Sequence, residues 1–164
     1  MNSIRKQEDL IKKLNSTIVF KLISIIKLPL AIITNLKIID INQQYCKVSV
    51  KYNYFNKNPF GSIYFAVQSM AAELSTGALA LLKAEGLNSD ISFILVALNA
   101  KFLHKAKGQT IFICKDGENL QKAVSKTRLS NERVDQIVNT TGYDKNGQII
   151  SEFEFTWSFC LKKK

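Results

Sequence analysis

Residues 62–82 (SIYFAVQSMAAELSTGALALL) carry one charged side chain, Glu73. A run this long and this apolar reads as a helix that other structure must cover on nearly every side. A carboxylate near its middle loses solvation worth several kcal/mol unless something compensates. The chain therefore needs a layer that wraps one helix, and Glu73 needs either a partner or a chemical task. Gln68, Ser69, Glu73, Ser75 and Thr76 make the run costly in lipid. Residues 17–41 are also rich in Ile and Leu, but Lys21, Lys27, Pro29 and Lys37 interrupt them. No stable membrane insertion is expected of either segment.

At 164 residues the chain suits a single domain, 1–164, able to bury about 70% of its unfolded surface. The net charge of +10 points to anionic partners: nucleic acid, a membrane surface or a phosphate-bearing cofactor. Charge does not choose among them, but the chain lacks an aromatic-basic recognition motif, so no nucleic-acid partner is expected. Cys46, Cys114 and Cys160 are odd in number, widely spaced and without a C-x-x-C pair. They read as reduced core thiols of a cytoplasmic protein, with no structural metal. Glu8 and Asp9 fall where a secretory leader would be apolar, so export is not expected.

From about residue 10 to 28, Leu14, Ile18, Leu22, Ile25 and Ile26 recur at helical spacing with lysines between them. That pattern fits an amphipathic helix packed on the body, or one that meets a membrane surface or partner. Residues 45–53 alternate, with Cys46, Val48, Val50 and Tyr52 on one face, as a half-buried strand does. Turn chemistry follows in 53–61 (NYFNKNPFG), where Gly61 is free to take unusual dihedrals. Ser62 stands as the N-cap of the long helix, which Lys83, Glu85 and Gly86 close. Residues 91–103 read as a long central strand covered on both faces, and 109–115 as another. A short helix is expected over 118–126 and a strand over 133–143. Asp144-Lys145-Asn146-Gly147 marks a hairpin turn into a strand over 149–161. There Phe153, Phe155, Trp157, Phe159 and Leu161 face a core, and Glu152, Glu154, Thr156 and Ser158 face away.

This order, with an early strand, a long helix and a run of antiparallel strands, resembles the hotdog fold. That is an α+β architecture in which a curved antiparallel sheet wraps one central helix. Residues 56–73 (NKNPFGSIYFAVQSMAAE) resemble the loop and helix start of its acyl-CoA thioesterase families, including the phenylacetate-pathway type. Residues 98–108 (LNAKFLHKAKG) are similar to their long strand, and YDKNGQIISEFEFTWSFCL to their final hairpin. The resemblance assigns residues 36–161 to the core, 1–35 to a helical lead-in shared with a poorly characterised thioesterase-like subgroup, and 162–164 to a basic tail. Where many members carry His-Gly-Gly this chain has Tyr64, Phe65 and Ala66, and Glu73 occupies their acidic position.

The resemblance implies hydrolysis of acyl-CoA thioesters, with coenzyme A entering as substrate and no resident cofactor. Glu73 would serve as general base or nucleophile, since burial raises its pKa. Backbone N–H groups around Tyr64 and Phe65 would stabilise the oxyanion, aided by the helix dipole. Eight residues of helix separate the two parts by about 12 Å, so two copies are required; family members are usually dimers or larger with sites at the subunit interface, and a dimer or tetramer is expected here. Asn58, Gly61 and Asn99 are further candidates for substrate contact, and Lys101, Lys105 and Lys107 for the phosphates of coenzyme A. Asn99 is also a candidate partner for Glu73. His104, the only histidine, is expected to be a solvated ring. The alternative is a non-catalytic acyl- or lipid-binding hotdog module, which the replacement of both glycines by Phe65 and Ala66 motivates.

Overall fold

The computed structural model describes residues 3–162, so the basic tail beyond Lys162 lies outside the described residues. Three helices lead in: α1 (Ser3–Asn15), α2 (Thr17–Lys27) and α3 (Pro29–Ile33). Strands β1 (Lys37–Ile41) and β2 (Cys46–Lys51) precede the long helix α4 (Phe65–Lys83). Then come β3 (Ile91–Phe102), β4 (Gln109–Cys114), α5 (Gly117–Ser130), β5 (Val134–Tyr143) and β6 (Ile149–Leu161). The six strands form one sheet in the order β1-β2-β4-β5-β6-β3, antiparallel at every pairing. Helix α4 packs against β2, β3, β4, β5 and β6, so the sheet wraps the helix in the hotdog arrangement.

The core between them is aliphatic and aromatic. Phe112, Phe155 and Phe159 are fully buried beneath α4 with Val48, Val50, Leu79 and Leu82, each large side chain contributing about 1.5–3 kcal/mol. The alternation in β6 holds, with Phe153, Phe155, Trp157 and Phe159 buried and Glu154 exposed. Ser158 departs from it, being buried on the other face. Apart from Glu73, the polar residues that make α4 costly in lipid are bonded within the protein. Gln68 accepts from Ser151 Oγ at 3.0 Å and donates to the Ile63 carbonyl at 3.1 Å. Ser75 and Thr140 share a bond of 2.9 Å, and Trp157 Nε1 donates to Thr76 Oγ1 at 3.1 Å. Each bond is worth about 1 kcal/mol net, and each hydroxyl or amide would cost more if left alone. By length and composition α4 would also span a bilayer; here it is the packed centre of the sheet.

Four expectations change. Residues 91–102 form not a central strand but the outermost one, with Ile94 at 63%, Val96 at 43% and Leu98 at 48% exposure. Its nearly continuous apolar run has two sources, a helix-facing row (Phe93, Leu95, Leu98, Ala100) and, with Ile94 on the other face and Val96 at a bulge, positions left open at an edge that nothing among the described residues covers. The long helix begins at Phe65 with Tyr64 as its N-cap, not at Ser62. Ser62 is consumed by Asn58, and Ile63 is tied to the Ala106 carbonyl at 2.8 Å, which holds the chain extended until Tyr64. The amphipathic lead-in is broken at Ser16, which is extended and caps α2 through the Val19 amide. Its apolar stripe also faces the wrong way for core packing. Phe20 and Ser24 are buried, whereas Ile18, Leu22, Ile25 and Ile26 are exposed. Last, the helix expected over 118–126 extends over Gly117–Ser130.

The far end of α4 is latched. Glu85 adopts a left-handed backbone (φ 64) with a nearly buried side chain. It accepts from Ser3 Oγ at 2.7 Å and Arg128 at 2.7 Å, with Lys6 at 3.6 Å. Arg128 also holds Asp90 at 2.9 Å, so one carboxylate joins α1, the end of α4 and α5.

Candidate functional site

Helix α4 leaves one stripe incompletely covered, through Ala66, Ser69, Met70, Glu73, Leu74 and Gly77. Glu73 lies on that stripe, half-buried, at a cleft of about 340 Å³. The cleft is walled by Met70 and Leu74 of α4, by Leu28, Pro29, Leu30 and Ala31 around the start of α3, and by Leu36. No hydrogen bond or ion pair engages the Glu73 carboxylate among the described residues, and burial pushes its pKa above the ordinary carboxylate value.

Gly77, one turn on, makes room for that carboxylate. A Cβ at position 77 would stand 2.7 Å from Glu73 Oε1 and 3.2 Å from the Trp157 ring. The backbone beneath is fixed as well, because Thr76 Oγ1 donates to the Glu73 carbonyl at 3.0 Å while accepting from Trp157. The acid is thus unpaired and partly desolvated at the wall of an apolar cleft, and burial makes it hold a proton more tightly than an ordinary carboxylate does.

At the helix start, the donors differ from those expected. The Tyr64 amide donates to the Asn56 carbonyl at 2.8 Å and the Gly61 amide to the Asn58 carbonyl at 3.2 Å, so both are spent. The amides of Phe65 and Ala66 carry no hydrogen bond among the described residues, as the first turn of a helix leaves them. Phe65 is half-exposed, with its ring against Tyr64 (4.7 Å between centroids) and Phe102 (6.1 Å). Gly61 takes the left-handed backbone expected of it (φ 70). Asn58 braces the loop, accepting from the Phe60 and Ser62 amides and donating to Ser62 Oγ. Its side chain is therefore committed to its own turn.

Asn99 and Lys101 lie on the far side of the sheet. They stand opposite Glu154 and Glu152, in the row that alternates with the buried Phe153 and Phe155. Both line a polar groove of about 300 Å³ on the outer face, with Asn139 and Thr141. Neither reaches Glu73, which removes Asn99 as its partner. Lys105 and Lys107 are placed differently. They flank Ala106, which accepts from the Ile63 amide just before α4, so both sit beside the amide-rich helix start. His104 is exposed, with Nδ1 2.8 Å from the Ile149 carbonyl.

The walls supplied by α3 were not anticipated from the sequence. The available signal was Pro29, which opens α3 from its first position and turns the chain back over α4. No cluster of three or more His, Cys, Asp or Glu side chains suited to a metal occurs among the described residues.

Residues 17–159 match the model of a family described as a domain of unknown function (DUF4442). A comparison with curated proteins gives no match. Among solved structures, a Pseudomonas aeruginosa protein of unknown function, described as a probable thioesterase, superimposes with a TM-score of 0.75 at 17% identity, over 90% of this chain and 97% of that one. A Chlorobaculum tepidum protein of unknown function gives 0.76 at 15% identity, over 95% and 97%. A thioesterase from Haemophilus influenzae gives 0.65 at 11% identity, over 89% and 91%. Likeness at these identities shows a shared fold, that of thioesterase-like hotdog proteins.

Proposed function

The chain belongs to the DUF4442 family, and from that premise we propose that it hydrolyses acyl-CoA thioesters with Glu73 as general base. The observation that carries this reading is the unpaired Glu73 carboxylate at the wall of an apolar cleft. In the proposed reaction the acyl chain lies in the cleft along Leu28, Leu30, Met70 and Leu74. Glu73 takes a proton from water as the water oxygen bonds to the thioester carbon. The resulting oxyanion is held by the Phe65 and Ala66 amides of a second copy; as it collapses to a carboxylic acid the C–S bond breaks, and the protonated Glu73 returns its proton to the departing sulfur, releasing the coenzyme A thiol.

A second copy is needed because about 12 Å of helix separates Glu73 from the amides of its own chain. The open β3 edge, with exposed Val96 at its bulge and with Leu98 and Phe102 on the helix-facing row beside Phe65, supplies an apolar surface for such pairing. Lys105 and Lys107 would receive the phosphates of coenzyme A beside that helix start. Lys101 drops out, since it lies across the sheet. Cytoplasmic residence is part of this proposal, as it suits the free thiols and the coenzyme A substrate.

A second reading rests on Phe65, whose ring packs on Tyr64 and Phe102 over the helix start. If those rings keep a thioester from the amides, the cleft binds acyl groups without turning them over. A panel of acyl-CoAs of increasing chain length, followed by thiol release, separates the two. The expected result is turnover by the wild type and loss of about two to four orders of magnitude in Glu73→Gln. Full activity in Glu73→Gln removes the general base. Saturable binding without turnover at any chain length selects the binding module.

A further inference from the structure

The apolar stripe of α2 has no cover among the described residues. Ile18, Leu22, Ile25 and Ile26 follow the spacing of a single helix face, and their exposures are 74, 59, 60 and 79%. The opposite face, with Phe20 and Ser24, holds α2 to the body. Helix α3 continues the surface with Leu30 at 59% and Ile33 at 53% exposure. Beyond the end of α3, Asn56 bonds to the Thr34 carbonyl, and this brings exposed Tyr54 and Phe55 alongside. Aliphatic side chains are thus bordered by two rings, the wholly apolar Phe55 and Tyr54, whose apolar body and polar tip suit a lipid–water boundary.

Charge selects the occupant. Residues 10–39 contain Lys12, Lys13, Lys21, Lys27 and Lys37 and no Asp or Glu, although Asp9, just before them, pairs with Lys13 at 2.6 Å; Lys57 lies over the Tyr54 ring at 4.2 Å. A second copy placed on this surface about a two-fold axis would set these lysines against their own equivalents, in a chain already at +10. An anionic bilayer meets both requirements, taking the aliphatic stripe into the headgroup region and pairing the flanking lysines with lipid charge.

We propose that α2 and α3 form a docking surface for anionic lipid bilayers, so that the protein binds peripherally with the axis of α2 in the membrane plane. This does not depend on the chemistry at Glu73 and is read without substrate. It has one consequence for the site: Lys27, Leu28, Pro29 and Leu30 wall the Glu73 cleft, so docking brings that cleft to the lipid surface.

The test is flotation of the full chain with vesicles of phosphatidylcholine alone or mixed with phosphatidylserine, at low and high salt, beside Leu22→Asp/Ile26→Asp and Lys21→Glu. Size-exclusion mass and a thermal melt are recorded for each protein. The expected result is binding to the anionic vesicles only, weakened by salt. The double variant should bind at least about tenfold more weakly, and Lys21→Glu several-fold more weakly, with mass and melt unchanged. Absence of wild-type flotation on anionic vesicles overturns the proposal. Equal binding to neutral vesicles overturns it too, as does a double variant that changes oligomeric mass instead of flotation, which would assign the surface to a second copy.

Discussion

Gly77→Ala tests whether the position of the Glu73 carboxylate, rather than its mere presence, matters. The added methyl would sit 2.7 Å from Glu73 Oε1, so the carboxylate end must retreat by about 1 Å to reach ordinary contact. That atom is the tip of a flexible side chain beside a cleft, and its retreat is cheap in stability. The Trp157 ring, 3.2 Å away, must give by a few tenths of an ångström, and overpacking of this kind costs about 1 kcal/mol at its mild end. Replacing a helical glycine by alanine returns about 1 kcal/mol. The two nearly cancel, so the melting temperature should stay within about 4 °C of wild type. With Glu73 as the proposed base, activity should not cancel, because a catalytic group displaced by about 1 Å can lose about 100-fold in rate. Thermal melts and thiol release from acyl-CoA, measured on the same preparation, check both halves. Wild-type turnover in a folded Gly77→Ala protein would refute the argument that Gly77 positions the acid.

Other outcomes follow from the charges and thiols. Burial raises the pKa of Glu73, so the folded state holds that proton more tightly than the unfolded state. Its stabilising contribution is complete below the ordinary carboxylate pKa and is lost as pH rises through the raised value. Glu73→Gln should therefore be more stable than wild type at neutral pH, by about 1.4 kcal/mol per unit of elevation; parallel urea midpoints for the two proteins from acid to neutral pH would contradict this. Asp90 is shifted the other way, chiefly by its hydrogen bond from Arg128. At Glu85 burial pushes upward, but Ser3, Arg128 and Lys6 together outweigh it. These contributions are present above the ordinary carboxylate range and disappear as pH falls through the lowered values. Arg128→Ala should thus cost about 1–2 kcal/mol at neutral pH and flatten the acid limb of the stability profile. Burial also pushes the Cys46 thiol up and the Cys114 thiol up to about 12, while Cys160 is exposed. A thiol reagent should modify one cysteine quickly in the folded protein and all three only on unfolding, and rapid reaction of two would show an opened β2–β4 pair.

Much of this architecture was legible where the pattern admits one explanation. Phe153 through Phe159 alternate strictly, and β6 follows them. Residues 65–83 are too apolar for any place but the centre of a layer. Two of the errors share one cause: periodicity reports which residues lie together, not which side of them the protein occupies. In α2 the stripe of Ile18, Leu22, Ile25 and Ile26 is real but points outward. In β3 the apolar run mixes a row facing the helix with an uncovered edge. Asn99 was misplaced because its side of the sheet depends on pairing with Glu154, a register fixed only by the assembled β3–β6 pair. The donor amides shifted toward the helix interior because Ser62, an ordinary capping residue, is diverted to Asn58. Glu73 stands out in the sequence because a lone charge in an apolar helix needs no knowledge of the fold to be noticed.

Trp157 is the only tryptophan in the chain, and its ring borders the same small space at Gly77 that Glu73 Oε1 enters. The molecule thereby contains its own unlabelled optical probe of that acid. Indole emission responds to a nearby formal charge, so its intensity or colour should trace the protonation of Glu73 as a titration curve, and an acyl group entering the cleft should shift the midpoint of that curve.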